Sequence, residues 1–295
     1  MKVVFIGCVK FSYKVLEKIV SFKDLEILGI ITRKESSINA DFCSLEPIAT
    51  SKGIPCFFAA GNSQNDMAQW IKSLHPDIIY CFGWSYLLRR EILSISPLGT
   101  IGFHPAALPR NRGRHPIIWA LALGLTSTAA TFFFMDEGAD SGDILSQRPV
   151  AILADDDAGT LYEKLTRLAL EQIEEFTPQL ASGQFPRVPQ DQSQVNYWRK
   201  RSEKDGLIDW RMSAVSIHNL VRALTRPYPG ADCNFEGRKI KIWKTELISE
   251  NYPSNIEPGK VLNTGENAIL IKCGEGALLL VDHAFPSIPP NGSYL

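Results

Sequence analysis

GTIGFHPAALPRNRGRHPIIWALALG, residues 99–124, decides how the chain is read. A short apolar run ends at His104. A loop follows that is stiffened by Pro105 and Pro109 and carries Arg110, Arg112 and Arg114. From Pro116 onward the apolar residues recur at helical spacing, with a proline where a helix best tolerates one. Strand, loop and helix in that order make up half of an alternating α/β unit.

The alternation extends outward on both sides. KVVFIG (2–7) is a β-branched run ending in glycine, as a buried parallel strand should be. SYKVLEKIVSF (12–22) has the spacing of a helix, with Ser12 as its N-cap. EILGIITR (26–33) and PDIIYCFGW (76–84) read as strands, LEPIATSKG (45–53) and NDMAQWIKSLH (65–75) as helices. TAATFFFMD (128–136) is a further strand. A long helix, DAGTLYEKLTRLALEQIEEFTPQL (157–180), starts behind Asp157 as cap. The pattern predicts an α/β fold with an open, mostly parallel sheet and helices on both faces.

SGQFPRVPQDQSQVNYWRKRSEKDG (182–206) is polar, contains two prolines and lacks periodicity, so it reads as a linker. The expected division is a first domain over 1–187, a linker over 188–205 and a β-rich domain over 206–295. In the last of these, SAVSIHNLVRAL (213–224) is a helix capped by Ser213. Short strand-like runs then alternate with the turns FEGR, NTGEN and CGEG, as hairpins of a small C-terminal barrel would.

Composition narrows the function classes. The 295 residues are 45% hydrophobic and 21% charged, ordinary globular values, and the net charge is −1. That balance provides no general attraction to a large nucleic acid, although a local basic patch remains open. Six cysteines without a C-x-x-C pair are expected to be free thiols of a reducing, cytoplasmic protein. The N-terminal MKVVFIGCVKFS reads as a strand rather than a signal peptide, and no apolar stretch approaches the length of a membrane span. Gly7 is followed by CVKFS, so the glycine-rich dinucleotide fingerprint is missing, and neither a Walker lysine nor a G-x-S-x-G elbow is present. His75, His104, His115, His218 and His283 are too scattered for a metal set, so no metal is expected.

His104 therefore carries the chemistry. A lone histidine is more often structural. This one ends a parallel strand, where ligands of open α/β sheets bind, and it precedes three guanidiniums and a helix start, which suit an anion. MDEGADSGDIL (135–145) follows the FFF strand directly and is expected on the same sheet edge. An imidazole and a carboxylate meeting there form an acid–base pair.

Taken in order, FHPAALPRNRGRHPIIWALALG, MDEGADSGDIL, GLIDWRMSAVSIHNLVRALTRPYPGA (206–231) and GRKIKIWK resemble the formyltransferases that use 10-formyltetrahydrofolate. The chain resembles methionyl-tRNA formyltransferase and, more closely, the sugar-nucleotide N-formyltransferases, over nearly its whole length. The resemblance implies a Rossmann-like domain followed by an OB-like barrel. It implies His104 and Asp140 as the catalytic histidine and aspartate, and 10-formyltetrahydrofolate as formyl donor. It places the donor along Ser85, Tyr86, Leu87 and Leu88, largely through backbone, and along Ala106, Leu108, Pro109, Arg114, Asp136, Glu137, Gly138 and Ala139. The family usually has an asparagine two residues before the histidine; here that residue is Gly102, leaving Asn111, His115 or a backbone N–H to replace its donor.

Three acceptors compete. A tRNA enzyme should carry a basic insertion, yet Arg112 runs into the helix at Pro116 without one; the basic run WRKRSEK (198–204) is the feature that favours tRNA. Glycinamide ribonucleotide enzymes resemble only the first domain. The turn NRGRHPIIW looks more like formyltransferases acting on nucleotide-linked amino sugars used in glycan synthesis. In that reading the arginines of 110–114 (Arg110, Arg112 and Arg114) with Arg199 and Arg201 meet the diphosphate, His115 also contacts the substrate, and Tyr197 or Trp198 stacks on the base. A degenerate site that binds folate or nucleotide sugar without turnover also stays open, as does a homodimer.

Overall fold

The computed structural model describes residues 1–36, 40–61, 64–250 and 252–295. The strands are β1 (Lys2–Ile6), β2 (Glu26–Thr32), β3 (Cys56–Phe58), β4 (Ile78–Cys81), β5 (Thr100–His104), β6 (Arg112–Gly113), β7 (Ser127–Phe134), β8 (Ile144–Ala151), β9 (Tyr197–Trp198), β10 (Ala231–Phe235), β11 (Arg238–Leu247), β12 (Val261–Thr264), β13 (Ile269–Lys272) and β14 (Ala277–His283). The α-helices are α1 (Lys10–Ile19), α2 (Glu46–Lys52), α3 (Asn65–Leu74), α4 (Arg90–Leu93), α5 (Pro116–Ala122), α6 (Ala158–Ser182) and α7 (Ala214–Leu224). They fall into two compact units. The first comprises 1–113, 129–150 and 164–198, the second 114–128, 151–163 and 199–295.

The first unit is built on a seven-stranded sheet in the order β3-β2-β1-β4-β5-β7-β8. β3, β2, β1, β4 and β5 are parallel. Period-two alternation buries both faces. Val4, Ile6, Ile79 and Cys81 pack on Met67, Ala68 and Ile71 of α3 and Ile92 of α4. Phe5, Tyr80 and Phe82 turn to the other face, where Phe82 lies 5.7 Å from Phe5, 5.1 Å from Tyr80 and 5.2 Å from Phe132, and Phe132 lies 4.9 Å from Phe176 of α6. Each such buried ring contributes about 1.5–3 kcal/mol of transfer free energy.

Two local readings change. α1 begins at Lys10, and Ser12, inside its first turn, accepts from Val9 N–H at 3.3 Å and donates to Phe82 C=O at 2.5 Å. β7 is antiparallel to β5, with Ile101 opposite Phe134 and His104 opposite Thr131. The acidic turn therefore leaves the sheet beside Thr100, upstream of His104, not at the edge where His104 ends its strand; Met135 N–H donates to Thr100 C=O. Residues 135–143 then bring the turn back.

The second unit carries a five-stranded antiparallel sheet, β10-β11-β14-β13-β12. Its hairpins form where turn residues predicted them: Phe235 pairs with Arg238 across Glu236 and Gly237, both at positive φ, and Cys273 N–H bonds Gly276 C=O. Segments 114–128 and 151–163 belong to this unit because α5 packs on α7 and Arg222 of α7 donates to Leu153 C=O and Asp156 C=O. Among the described residues, no helix is long and apolar enough to cross a membrane. None of the six cysteines is in a disulfide.

Candidate active site

His104 ends β5 and is 4% exposed. The loop beyond it is pinned from within the sheet. Thr131 Oγ1 donates to Ala106 C=O at 2.7 Å, and Gln147 Nε2 donates to Leu108 C=O at 2.9 Å. Asn111, Gly113 and His115 all take positive φ, so the chain bends sharply before α5. One consequence is that Asn111 C=O meets His104 Nε2 at 2.8 Å. A carbonyl only accepts, so that nitrogen carries a hydrogen.

Asp140 is the second member. Held at φ 55°, it presents Oδ2 to Gly113 N–H at 2.8 Å and to His104 Nδ1 at 3.5 Å. The latter is an ion-pair distance, longer than a direct hydrogen bond. Both imidazole nitrogens thus face oxygens. The turn holding Asp140 is closed by Asp136 Oδ1, which accepts from Gly138 N–H and Ser141 Oγ.

The remaining expected site residues divide by their surroundings. Asn111 contributes its carbonyl and not its amide; the side chain is paired to Asn196 through Asn196 Nδ2 at 3.2 Å, while Asn111 N–H donates to Asn196 Oδ1. Arg112, expected at a diphosphate, bonds instead to groups of the protein itself. It is 1% exposed; its Nε and Nη2 donate to Gln190 Oε1, and its Nη1 to Tyr197 Oη. Ala106, Leu108 and Leu88 are buried and build the loops with their side chains. In the 85–88 loop, Leu87 is exposed and Tyr86 Oη accepts from Arg33 Nη1. Glu137 is surface-exposed beside Arg90, and Arg110 donates to Gln194. Tyr197 is exposed, whereas Trp198 backs onto Gly113, whose added Cβ would collide with the Trp198 carbonyl oxygen.

A side chain at Gly102 would require Met135 and Phe133 to shift. A Cβ there would lie 2.8 Å from Met135 Cγ and 2.9 Å from Phe133 Cζ. Gly102→Asn is expected to cost about 1–3 kcal/mol by overpacking. Calorimetry checks this: a melting temperature equal to or above the parent's contradicts it.

In the second unit, His115 accepts from Arg201 N–H through Nδ1 at 3.2 Å. Burial first, then Arg114, Arg201 and Lys200, pushes it down to about 4. Arg199 and Arg201 lie over the Trp119 ring and bond to Asp205. Because the folded chain favours neutral His115, the unfolded chain takes the proton first. Stability is intact above the ordinary value of 6.5 and falls as pH drops toward 4. His115→Gln should flatten that part of the melting temperature–pH curve; an unchanged curve contradicts the linkage.

Sequence reasoning missed Gln190, Asn196, Gln64 and Arg33. Gln64 is buried and clamps the 85–89 loop, donating to Leu87 C=O and accepting from Arg89 N–H. The available signal was the amide density of QDQSQVN (190–196), since an amide donates and accepts at once.

Comparison with known proteins shows the family of the chain. Residues 2–176 match the family model described as formyl transferase, and residues 200–288 match the formyl transferase C-terminal domain. A methionyl-tRNA formyltransferase of Caldanaerobacter subterraneus subsp. tengcongensis is 32% identical over 287 residues, 96% of this chain and 91% of the relative. The structure of an N-formyltransferase from Helicobacter canadensis, in complex with folinic acid and dTDP-3-aminofucose, matches with a TM-score of 0.72 at 17% identity, covering 96% of this chain and 99% of that one. A 4-N formyltransferase from Francisella tularensis matches with a TM-score of 0.65 at 19% identity, covering 81% and 94%. At those identities the two structures share the fold.

Proposed function

Because this chain belongs to the formyl transferase family, we propose that it moves the formyl group of 10-formyltetrahydrofolate to the amine of a nucleotide-linked amino sugar. The observation that carries the reaction is the His104–Asp140 pair, set by Gly113 N–H and Asn111 C=O. The acceptor nitrogen attacks the formyl carbon, giving a tetrahedral oxyanion. Asp140 takes the proton released by the attacking nitrogen, and His104 returns one to the folate nitrogen as the old C–N bond breaks. The imidazolium also stabilises the oxyanion. A donor of that kind is worth about 3–4 kcal/mol, and position 102 offers no side chain to share the task.

Support for a sugar nucleotide comes from three sides. The chain passes from Gly113 to α5 without a basic insertion, its net charge is −1, and the Helicobacter structure holds a dTDP-sugar with a folate. Arg110 is exposed in the first unit, and Arg199, Arg201 and neutral His115 give the second unit donors for a diphosphate. Tyr197, exposed, offers a ring for stacking. The 32% identical relative favours methionyl-tRNA as the second reading.

Mass spectrometry of a panel of amino-sugar nucleotides and charged initiator tRNA, each incubated with protein and 10-formyltetrahydrofolate, tests the choice. Formylated sugar is expected. Formylated methionyl-tRNA alone transfers the assignment to the second reading, and folate binding without any product points to a degenerate binding protein.

A further inference from the structure

We infer that Gln190 is a positioning residue for the His104–Asp140 pair, acting at the centre of a strap, residues 188–198, that ties the two site loops together. The inference rests on the acyl-transfer reading of that pair.

Composition marks this segment as a linker, yet its backbone and amides are committed along its length. Val188 exchanges two backbone hydrogen bonds with Ile144, at 2.8 and 3.0 Å. Asn196 C=O accepts from Arg112 N–H at 3.1 Å, its side chain pairs with Asn111, and β9 runs beside β6. Between these anchors, Gln190 is buried. Its Oε1 accepts from Arg112 Nε at 3.0 Å and Nη2 at 2.7 Å, and its Nε2 donates to Asp140 C=O at 2.9 Å and Gly142 C=O at 2.7 Å. Guanidinium nitrogens only donate and carbonyls only accept, so one amide orientation satisfies all four contacts. One side chain thus fixes the backbone of Asp140 itself while holding Arg112, the neighbour of Gly113, whose N–H aims the Asp140 carboxylate. No other side chain bonds both loops in this way among the contacts described for Asp140, Gly142 and Arg112.

The partners separate the two halves of the role. Gln190→Met keeps the approximate shape and loses all four bonds. Gln190→Glu keeps an acceptor for Arg112 but turns a second oxygen toward the Asp140 and Gly142 carbonyls. Both should lower kcat by about 10- to 100-fold, the scale of a misplaced catalytic group, with the KM for the formyl donor within about twofold of the parent as expected when ground-state binding is spared. Imidazole nitrogen NMR, assigned by comparison with His104→Ala, should show the His104 ring signals displaced in both variants. His104 signals and kcat that match the parent, with only the melting temperature lowered, would make Gln190 merely structural and overturn the inference. The NMR readout does not depend on turnover. A wild-type protein that formylates nothing therefore defeats the functional reading, whereas undisplaced His104 signals defeat the positioning claim.

Discussion

Replacing His104 by alanine should lower kcat/KM for formyl transfer by about 10²- to 10⁴-fold, the range that general acid–base catalysis supplies. His104 is enclosed, with Asn111 C=O on one nitrogen and Asp140 on the other, and Gly102 brings no side-chain amide to share the oxyanion. His104→Gln should lose as much, because an amide can donate to Asn111 C=O but cannot pass a proton. Steady-state kinetics decides this. Near-parental rates for either variant would show that the proton traffic runs elsewhere.

Gly113→Ala is expected to be nearly as damaging, although the residue never touches a reacting atom. Gly113 has a φ of 105°, and its Cβ position is already occupied by the Trp198 carbonyl. An alanine must distort the backbone or push the strap outward, and Gly113 N–H is the donor that holds Asp140 Oδ2. A misplacement of about 1 Å can cost on the order of 10²-fold in rate. The melting temperature should fall as well, since a strained left-handed residue costs roughly 1–3 kcal/mol. Parental kcat with a parental melting temperature would mean that the loop relaxes freely.

Much of the first unit was legible because parallel strands buried on both faces must be apolar throughout. KVVFIG, EILGIITR and PDIIYCFGW could hardly be anything else. β8 escaped notice because ILSQRPVA lies at the end of the strand order, with a polar, proline-containing surface. The direction of β7 was hidden by α5, which sits between the two strands in sequence but packs on α7, so it is no crossover. The pairing of His104 with Asp140 emerged through the motifs, although the route the acidic turn takes to get there did not. The burial of Arg112 was not legible because its partner, Gln190, is 78 residues away. The strap shows no periodicity since its order comes from amides bonded to distant backbone, which hydropathy patterns cannot register.

The central claim is that His104 and Asp140 act as one unit in formyl transfer, and a double-variant cycle tests it most directly. kcat/KM is measured for His104→Ala, Asp140→Asn and the double variant with 10-formyltetrahydrofolate and the best acceptor found. If the two act together, the double variant loses no more than about what the worse single variant loses. A double-variant loss equal to the product of the two single losses, or single variants close to the parent, would contradict the claim.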